Sequence, residues 1–297
     1  VVFNLPPTEK KMDFSKYIFR SNIDCFRSYM RDNASDLPTF NSYYDLTHTP
    51  TGRKRAILSR SVKWAKNKGL ESFGVTGLYL SPASIVSGLN LCKFAGECEK
   101  GCIAFTGNLG MFHQKTMADR TLALYHYTEL YLIDLLKELY VISARAYSEG
   151  KQIYCRLNGT SDLMFFKVLN MDAIVNDFNG LAGFYDYTKY PIIDNPWESY
   201  HLTYSYSEKT KKLPSSFDRI AIVVSKETKQ ELCSRMPLVF TDGDEHDIRA
   251  LDRTPVVLLQ EKRATTSGRV VSDVFVQSID DVLDISIEFV KALGAVC

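Results

Sequence analysis

The sequence predicts an α/β fold, a partial (β/α) barrel of about six parallel strands with an N-terminal helical or irregular appendage. Two observations carry that expectation. From residue 75 onward short apolar runs alternate with amphipathic helical segments, the arrangement of a parallel sheet with crossover connections. Roughly six such units in about 190 residues suit part of a barrel better than a doubly wound open sheet. Neither a GxGxxG after the first strand nor a GxxxxGK[ST] occurs, so the common nucleotide fingerprints are missing.

Residues 1–70 read as the appendage and 71–297 as one partial-barrel domain. In "DFSKYIFRSNIDCFRSYMRDNAS" the residues Tyr17, Ile18, Ile23, Phe26 and Met30 recur at helical spacing. "PTGRKRAILSRSVKWAKNKG" follows as a basic amphipathic segment with Ile57, Val62 and Trp64 on its apolar side. Its positive charges more often mark a solvated face than a phosphate-binding one.

"VTGLYLS" (75–81) is the first barrel strand, and a long helix is expected from Gln114 to Glu149, where Leu122, Tyr125, Leu132, Leu135, Leu136 and Leu139 keep a period near 3.6. "KQIYCRLNG" (151–159) is the second strand, with Thr160 or Ser161 as the cap of a following helix. Strands three to six are placed at 181–189, 199–208, 218–226 and 237–244, with a short helix "ETKQELCSRM" after the fifth. "TPVVLLQEK" (254–262) is a seventh or an edge strand, and "SIDDVLDISIEFVKALGA" is a closing helix.

Bulk properties exclude several classes. The net charge of +1 gives no global electrostatic argument for nucleic acid or a membrane surface. No apolar run approaches the roughly 18 residues of a bilayer span. The start has no signal-peptide core, and Val1 in place of Met points to a short preceding segment. Seven cysteines, an odd and mostly scattered set without a secretion signal, fit a reducing cytoplasm better than a disulfide framework.

Three of those cysteines are not scattered. Cys92, Cys98 and Cys102 stand in a C-x5-C-x3-C loop dotted by Gly96 and Gly101, directly after the first strand. Neighbouring thiolates repel unless a cation shares their charge, so such a cluster in a reducing compartment points to metal. Zinc would need a fourth ligand, for which His113 and Cys155 are candidates. A [4Fe–4S] cluster held by three cysteines would leave its fourth iron open. Cys155 lies inside a strand and reads more readily as a small core residue.

In parallel α/β folds ligands bind beyond the carboxyl ends of the strands. The second strand exits into Arg156, Asn158, Thr160, Ser161 and Asp162; the third into Tyr185 and Lys189; the fourth carries His201 and Tyr204; the sixth runs into Asp242, Asp244 and His246. Each polar loop residue alone says little. Their joint placement describes a polar barrel mouth.

A three-cysteine loop after the first strand of a partial barrel resembles the radical S-adenosylmethionine enzymes, although C-x3-C-x2-C is the usual spacing there. The resemblance implies an open iron that chelates S-adenosylmethionine, whose reductive cleavage gives a 5′-deoxyadenosyl radical, and an electron donor. It implies Cys92, Cys98 and Cys102 as cluster ligands and Arg156, Asn158, Thr160, Ser161 and Asp162 as cofactor-binding residues. Tyr185, Asp242, Asp244 and His246 would face substrate, and His201, Tyr204 and Lys189 would serve catalysis.

"LCKFAGECEKGCIAFTGNLGMF", "CRLNGTSDL", "FYDYTKYP", "YHLTYSYSE" and "VFTDGDEHDIRALDRTPVVLLQEK" together resemble the phage-encoded "gene product eighty-eight" family across residues 76–262. That resemblance implies a phage or mobile-element origin, hence the host cytoplasm, and carries no activity; a nucleotide or nucleic-acid base is then the expected substrate. The alternative is a zinc-stapled domain that binds nucleic acid or a host protein through residues 53–68, with Lys54, Arg55, Arg60 and Lys63 on phosphates and Trp64 and Tyr43 packed or stacked. A purely structural or electron-transfer cluster with Cys155 as fourth ligand is a third reading.

Overall fold

The computed structural model describes residues 12–33, 36–38, 42–59, 62–65, 69–100, 102–105, 113–191, 193–261 and 276–294. Its centre is an eight-stranded sheet: β1 (Lys63–Trp64), β2 (Phe73–Gly77), β3 (Gln152–Arg156), β4 (Leu181–Thr188), β5 (Tyr200–Ser205), β6 (Ile220–Val224), β7 (Phe240–Asp242) and β8 (Val256–Gln260). The spatial order is β1-β2-β3-β4-β5-β6-β8-β7; β1 runs antiparallel to β2 and every other pair is parallel. The sheet curls but ends in β1 and β7, so the barrel is partial, as the alternation of strands and helices predicts.

Alternation along the strands sorts the two faces. Ile153, Cys155 and Leu157, Phe184, Tyr200 and Tyr204, and Ile220, Ile222 and Val224 point to the convex side and join the main core. Helices cover that side, among them α3 (Gln114–His126) and α4 (Thr128–Ser148), whose Leu122, Leu132, Leu135, Leu136 and Leu139 are buried in the same core. The opposite, concave face carries Val75, Arg156, Tyr185, Tyr187, Ser205 and Val223. No helix among the described residues is long and apolar enough to cross a membrane.

Several expectations are corrected. The single helix over 114–149 is two, because Tyr127 leaves helical geometry (φ −127°, ψ 45°). Its ring meets Tyr43 edge-on at 5.4 Å, and the Thr128 hydroxyl bonds back to the Leu124 carbonyl at 2.7 Å, a habit that bends helices. No helix begins at Thr160 or Ser161; the next one, α5 (Met171–Asp177), is capped by Asn170. The strand at 254–262 is not at an edge. Its continuous apolar run, Val256 to Leu259, suits burial on both faces, and the three-residue β7 takes the edge instead.

The N-terminal stretch packs onto the barrel. A short helix α1 (Ile23–Met30) and the one-turn α2 (Tyr43–Thr47) precede an extended course in which Leu58 bridges Leu78, and β1 closes the sheet's first edge. The basic amphipathic segment is therefore extended where it is described, turned at Gly52 (φ +78°), with the Ile57 and Leu58 amides donating to Glu138 at 2.8 and 3.2 Å. Tyr17, Ile18, Phe26, Met30, Leu46, Ile57 and Leu58 belong to the same core cluster as the sheet. Phe26 lies 5.4 Å from Phe165, and Tyr17 lies 5.5 Å from Phe178.

This packing predicts that Phe26→Ala lowers global stability by about 3–5 kcal/mol, the usual loss for emptying a buried aromatic site. Urea denaturation should show one transition moved to lower midpoint. A separate early transition with the main midpoint unchanged would mean that the N-terminal stretch folds apart from the barrel.

Candidate functional site

A cavity of about 540 Å³ opens at the carboxyl ends of the parallel strands. Its wall is formed by Tyr79 after β2, Asn158–Asp162 after β3, Lys189 after β4, Gly243 and Asp244 after β7, and Glu261 after β8. The loop containing Cys92, Cys98 and Cys102 covers one side, and all three cysteines line the cavity.

The turn after β3 is held from beneath. Asp186, on the convex face of β4 and fully buried, accepts the Asn158 amide at 2.7 Å, the Asn158 side-chain NH2 at 3.2 Å and the Tyr200 hydroxyl at 2.7 Å. Asn158 Oδ1 in turn accepts the Ser161 hydroxyl at 2.9 Å and the Leu163 amide at 2.8 Å. The Thr160 hydroxyl donates to the Leu80 carbonyl at 2.5 Å. Gly159 is required by close approach: a Cβ there would stand 2.7 Å from the Leu78 carbonyl oxygen. Burial pushes the Asp186 carboxyl up to about 7, against the opposing pull of Arg156, Tyr200 and Asn158.

The cysteine loop is tied to that turn and to the far rim. The Asp162 amide donates to the Leu91 carbonyl at 2.9 Å, and the Cys92 thiol donates to the Thr160 carbonyl at 3.8 Å. Gly96 adopts φ +56°, and Glu208 from beyond β5 accepts the Glu97 amide at 2.8 Å. Burial pushes the Cys92 thiol well up and the Cys102 thiol to about 11, so both resist ionisation without a cation. Lys189 supplies one charge. Burial alone would lower its pKa, but the neighbouring Cys98 and Asp162 outweigh that and raise it. Its amide donates to Asp162 at 2.9 Å and its ammonium to Ser205 at 3.0 Å.

Among the described residues no set of three or more His, Cys, Asp or Glu side chains is gathered closely enough to share one metal ion. His113 does not line the cavity, and Cys155 is fully buried on the convex face.

The other end of the cavity is aromatic and basic. The Arg156 guanidinium lies 5.0 Å from the Tyr187 ring centre, with Tyr79 and Tyr185 alongside. Beneath them the chain after β7 supports the floor: Ile248 packs on Tyr154 and Tyr185, and the fully buried Arg249 sits 3.2 Å from Asp252. At the edge, Lys229 on α6 (Lys226–Arg235) is clamped by Asp242 and Asp244 at 2.8 Å each.

Of the residues singled out in the sequence, Cys92, Cys98, Cys102, Arg156, Asn158, Thr160, Ser161, Asp162, Tyr185, Lys189 and Asp244 share this one cavity. His201, Tyr204, Asp242 and His246 do not line it. Tyr204 points to the convex core, where its hydroxyl pairs with Thr210 at 2.9 Å; His201 meets Tyr154 lower on the concave face; His246 approaches Asp252 at 3.3 Å beneath the floor. Tyr79 and Tyr187 line the cavity as well, Tyr187 through the strand parity that it shares with Tyr185. Asp186 belongs to the same polar strand exit; what marks it in the sequence is a carboxylate on the apolar face of β4.

Fold and cavity together define an α/β half-barrel with a thiol-bearing pocket at the strand ends. The family model described as Gene product 88 matches residues 51–273, which include all eight strands, and the chain belongs to that family. No curated protein and no solved structure matches it.

The Asp186 network has a pH signature. Between the ordinary aspartate value of 3.8 and about 7 the folded protein keeps a proton that the unfolded chain has released, so this group lowers stability as pH rises. The stability of wild type relative to Asp186→Asn should therefore fall across that window, with a limiting slope of about 1.4 kcal/mol per pH unit. Urea titrations of both proteins from pH 4 to about 7 measure it; a difference that is flat in pH would show that Asp186 is ionised throughout.

Proposed function

We propose that this protein is a phage-encoded iron–sulfur enzyme of the radical S-adenosylmethionine type. One observation carries the reading: three cysteine side chains and the polar turn after β3 face a single cavity at the carboxyl ends of a parallel half-barrel. The donor set suits the group. Three thiols give three irons one ligand each and leave a fourth open, whereas a single zinc would need every donor within about 2.0–2.3 Å of one point. When bound, such a cluster supplies an electron to cleave the sulfonium of S-adenosylmethionine.

The chain's own residues then have distinct tasks. Cys92, Cys98 and Cys102 hold the cluster, and Lys189 beside Cys98 offsets part of its negative charge. Thr160 and Ser161 spend their hydroxyl protons inside the protein, on Leu80 and Asn158, and so keep oxygen lone pairs for a cationic ammonium or sulfonium. Asp186 holds the turn in place through Asn158. Tyr185 and Asp244 stand on the substrate side, while His201 and Tyr204 lie outside the cavity and take no part.

The nucleic-acid reading has less support. Lys54 pairs with Asp134, Arg55 with Asp119 and Lys63 with Asp247, and Lys151 covers the Trp64 ring at 4.4 Å. Tyr43 donates its hydroxyl to Asp134 at 3.0 Å, and Arg60 lies outside the described residues.

Purified without oxygen, the wild-type chain should carry iron and acid-labile sulfide, about four of each. The Cys92→Ala, Cys98→Ala, Cys102→Ala triple variant should carry neither. Dithionite-reduced wild type should change its electron paramagnetic resonance spectrum on adding S-adenosylmethionine and release 5′-deoxyadenosine. A colourless protein with stoichiometric zinc would overturn the reading.

A further inference from the structure

The cavity has two chemically different ends. Lys189 feels Cys98, Asp162 and Cys92, whereas the charged and phenolic neighbours of Arg156 are Tyr185, Tyr187, Asp186 and Tyr79. Arg156 closes β3 opposite Gly77 of β2. A Cβ at Gly77 would stand 3.3 Å from the Arg156 carbonyl oxygen and 3.4 Å from the Tyr79 ring, so the two strands and Tyr79 approach closely there.

That guanidinium lacks a hydrogen-bond acceptor among the described residues. Its Nε is buried without a partner. The nearest carboxylate oxygen, on Asp186, is 3.9 Å away and already accepts from Asn158. The hydroxyls of Tyr79, Tyr185 and Tyr187 also have no hydrogen-bond partner there, although all three line the cavity. Leaving the buried Arg156 Nε–H unpaired is unfavourable, and native interiors rarely do it, while the three phenols open onto the cavity as further donors. Nearby acids do not fill the gap: Asp244 is held by Lys229 and Asp247 by Lys63.

We propose that this end of the cavity grips the substrate by an anionic oxygen group, a phosphate or a carboxylate, with Arg156 as the principal contact and Tyr187 as its stacking support. The proposal rests on the enzyme reading above and adds the class of substrate. A guanidinium presents a planar fork of donors that matches two oxygens of such a group, and the phenols add further donors around it. Stacking on Tyr187 fixes the plane of the fork before the ligand arrives. A neutral ligand would satisfy the donors without matching the guanidinium's charge, whose ion-pair partner among the described residues is Asp186 at 3.9 Å. The thiol end stays separate, so cofactor and substrate would lie side by side.

The test follows the resonances of the cavity tyrosines by NMR, and in the wild-type chain the Arg156 Nε–H as well, while inorganic phosphate, or in a second arm acetate, is added. Expected is a saturable shift with one of them, at a Kd of about 1–10 mM, the strength of a small anion held by a few charge-assisted bonds. Tighter phosphate binding assigns a phosphorylated substrate; equal or tighter acetate binding assigns a carboxylate. Arg156→Gln should weaken binding about tenfold or more, as loss of a charged hydrogen-bonding partner does, and Tyr187→Phe, which keeps the ring, should weaken it less. Should Arg156→Gln fail to fold, Arg156→Lys retains the charge without the fork and should still bind more weakly than wild type. No saturable shift with either anion, or binding unchanged in the Arg156 variants, overturns the proposal. Iron is measured on the same samples: an iron-free chain that binds phosphate at Arg156 would sink the cluster reading alone.

Discussion

One buried carboxylate holds the working end of this barrel together. Asp186 receives the Asn158 amide, the Asn158 side chain and the Tyr200 hydroxyl, and so ties β4 to the exit of β3 and to β5. Without it, the Asn158 amide, two residues past the end of β3, would be a buried donor lacking an acceptor, with a penalty of about 1–3 kcal/mol. The turn from Asn158 to Asp162 inherits its shape from that anchor, and the cysteine loop inherits its position from the turn through Leu91 and Cys92. The site is thus assembled outward from a residue that never touches the cavity.

The same carboxylate shapes the electrostatics. Asp186 lies behind Arg156, yet burial pushes its carboxyl up to about 7, which blunts its ability to neutralise the guanidinium near neutral pH. Lys189, two strand positions beyond Tyr187, faces the thiols and Asp162 instead. Two cations on adjacent strands are thereby kept to different ends of one cavity. That division follows from strand parity: Tyr185, Tyr187 and Lys189 alternate with Asp186 and Thr188, so one strand carries both the floor and its anchor.

Much of this was legible in the sequence, for physical reasons that vary by element. Strands β3, β4 and β6 are short apolar runs with clear punctuation, and the three cysteines announce themselves by spacing alone. The rule that ligands sit at strand exits gathers the β3 turn, Lys189 and Tyr185 from the sequence alone. His201 and Tyr204 escaped that rule because they lie within β5, where depth along the strand and choice of face decide what a side chain meets. The break at Tyr127 depends on a contact with Tyr43, over eighty positions away in sequence. The insertion of β8 between β6 and β7 is a matter of pairing partners, which periodicity does not encode. Phe26 and Tyr17 kept helical or local patterns while their partners, Phe165 and Phe178, lay in the barrel.

A sheet that ends in two unjoined edges needs other material to make a cavity with a floor. Here the chain after β7 provides it: Ile248 and Arg249 press against the concave face beneath Tyr185, and Asp252 keeps the arginine in place. The family match, residues 51–273, contains this segment, the cysteine loop and all eight strands, whereas α1 (Ile23–Met30) and the whole closing helix α7 (Ile279–Gly294) lie outside it. The outer helices add apolar cover to the convex core through Phe26, Met30, Val282 and Phe289. They thicken the fold; the matched portion alone contains every residue that the cavity exposes, including both of its ends.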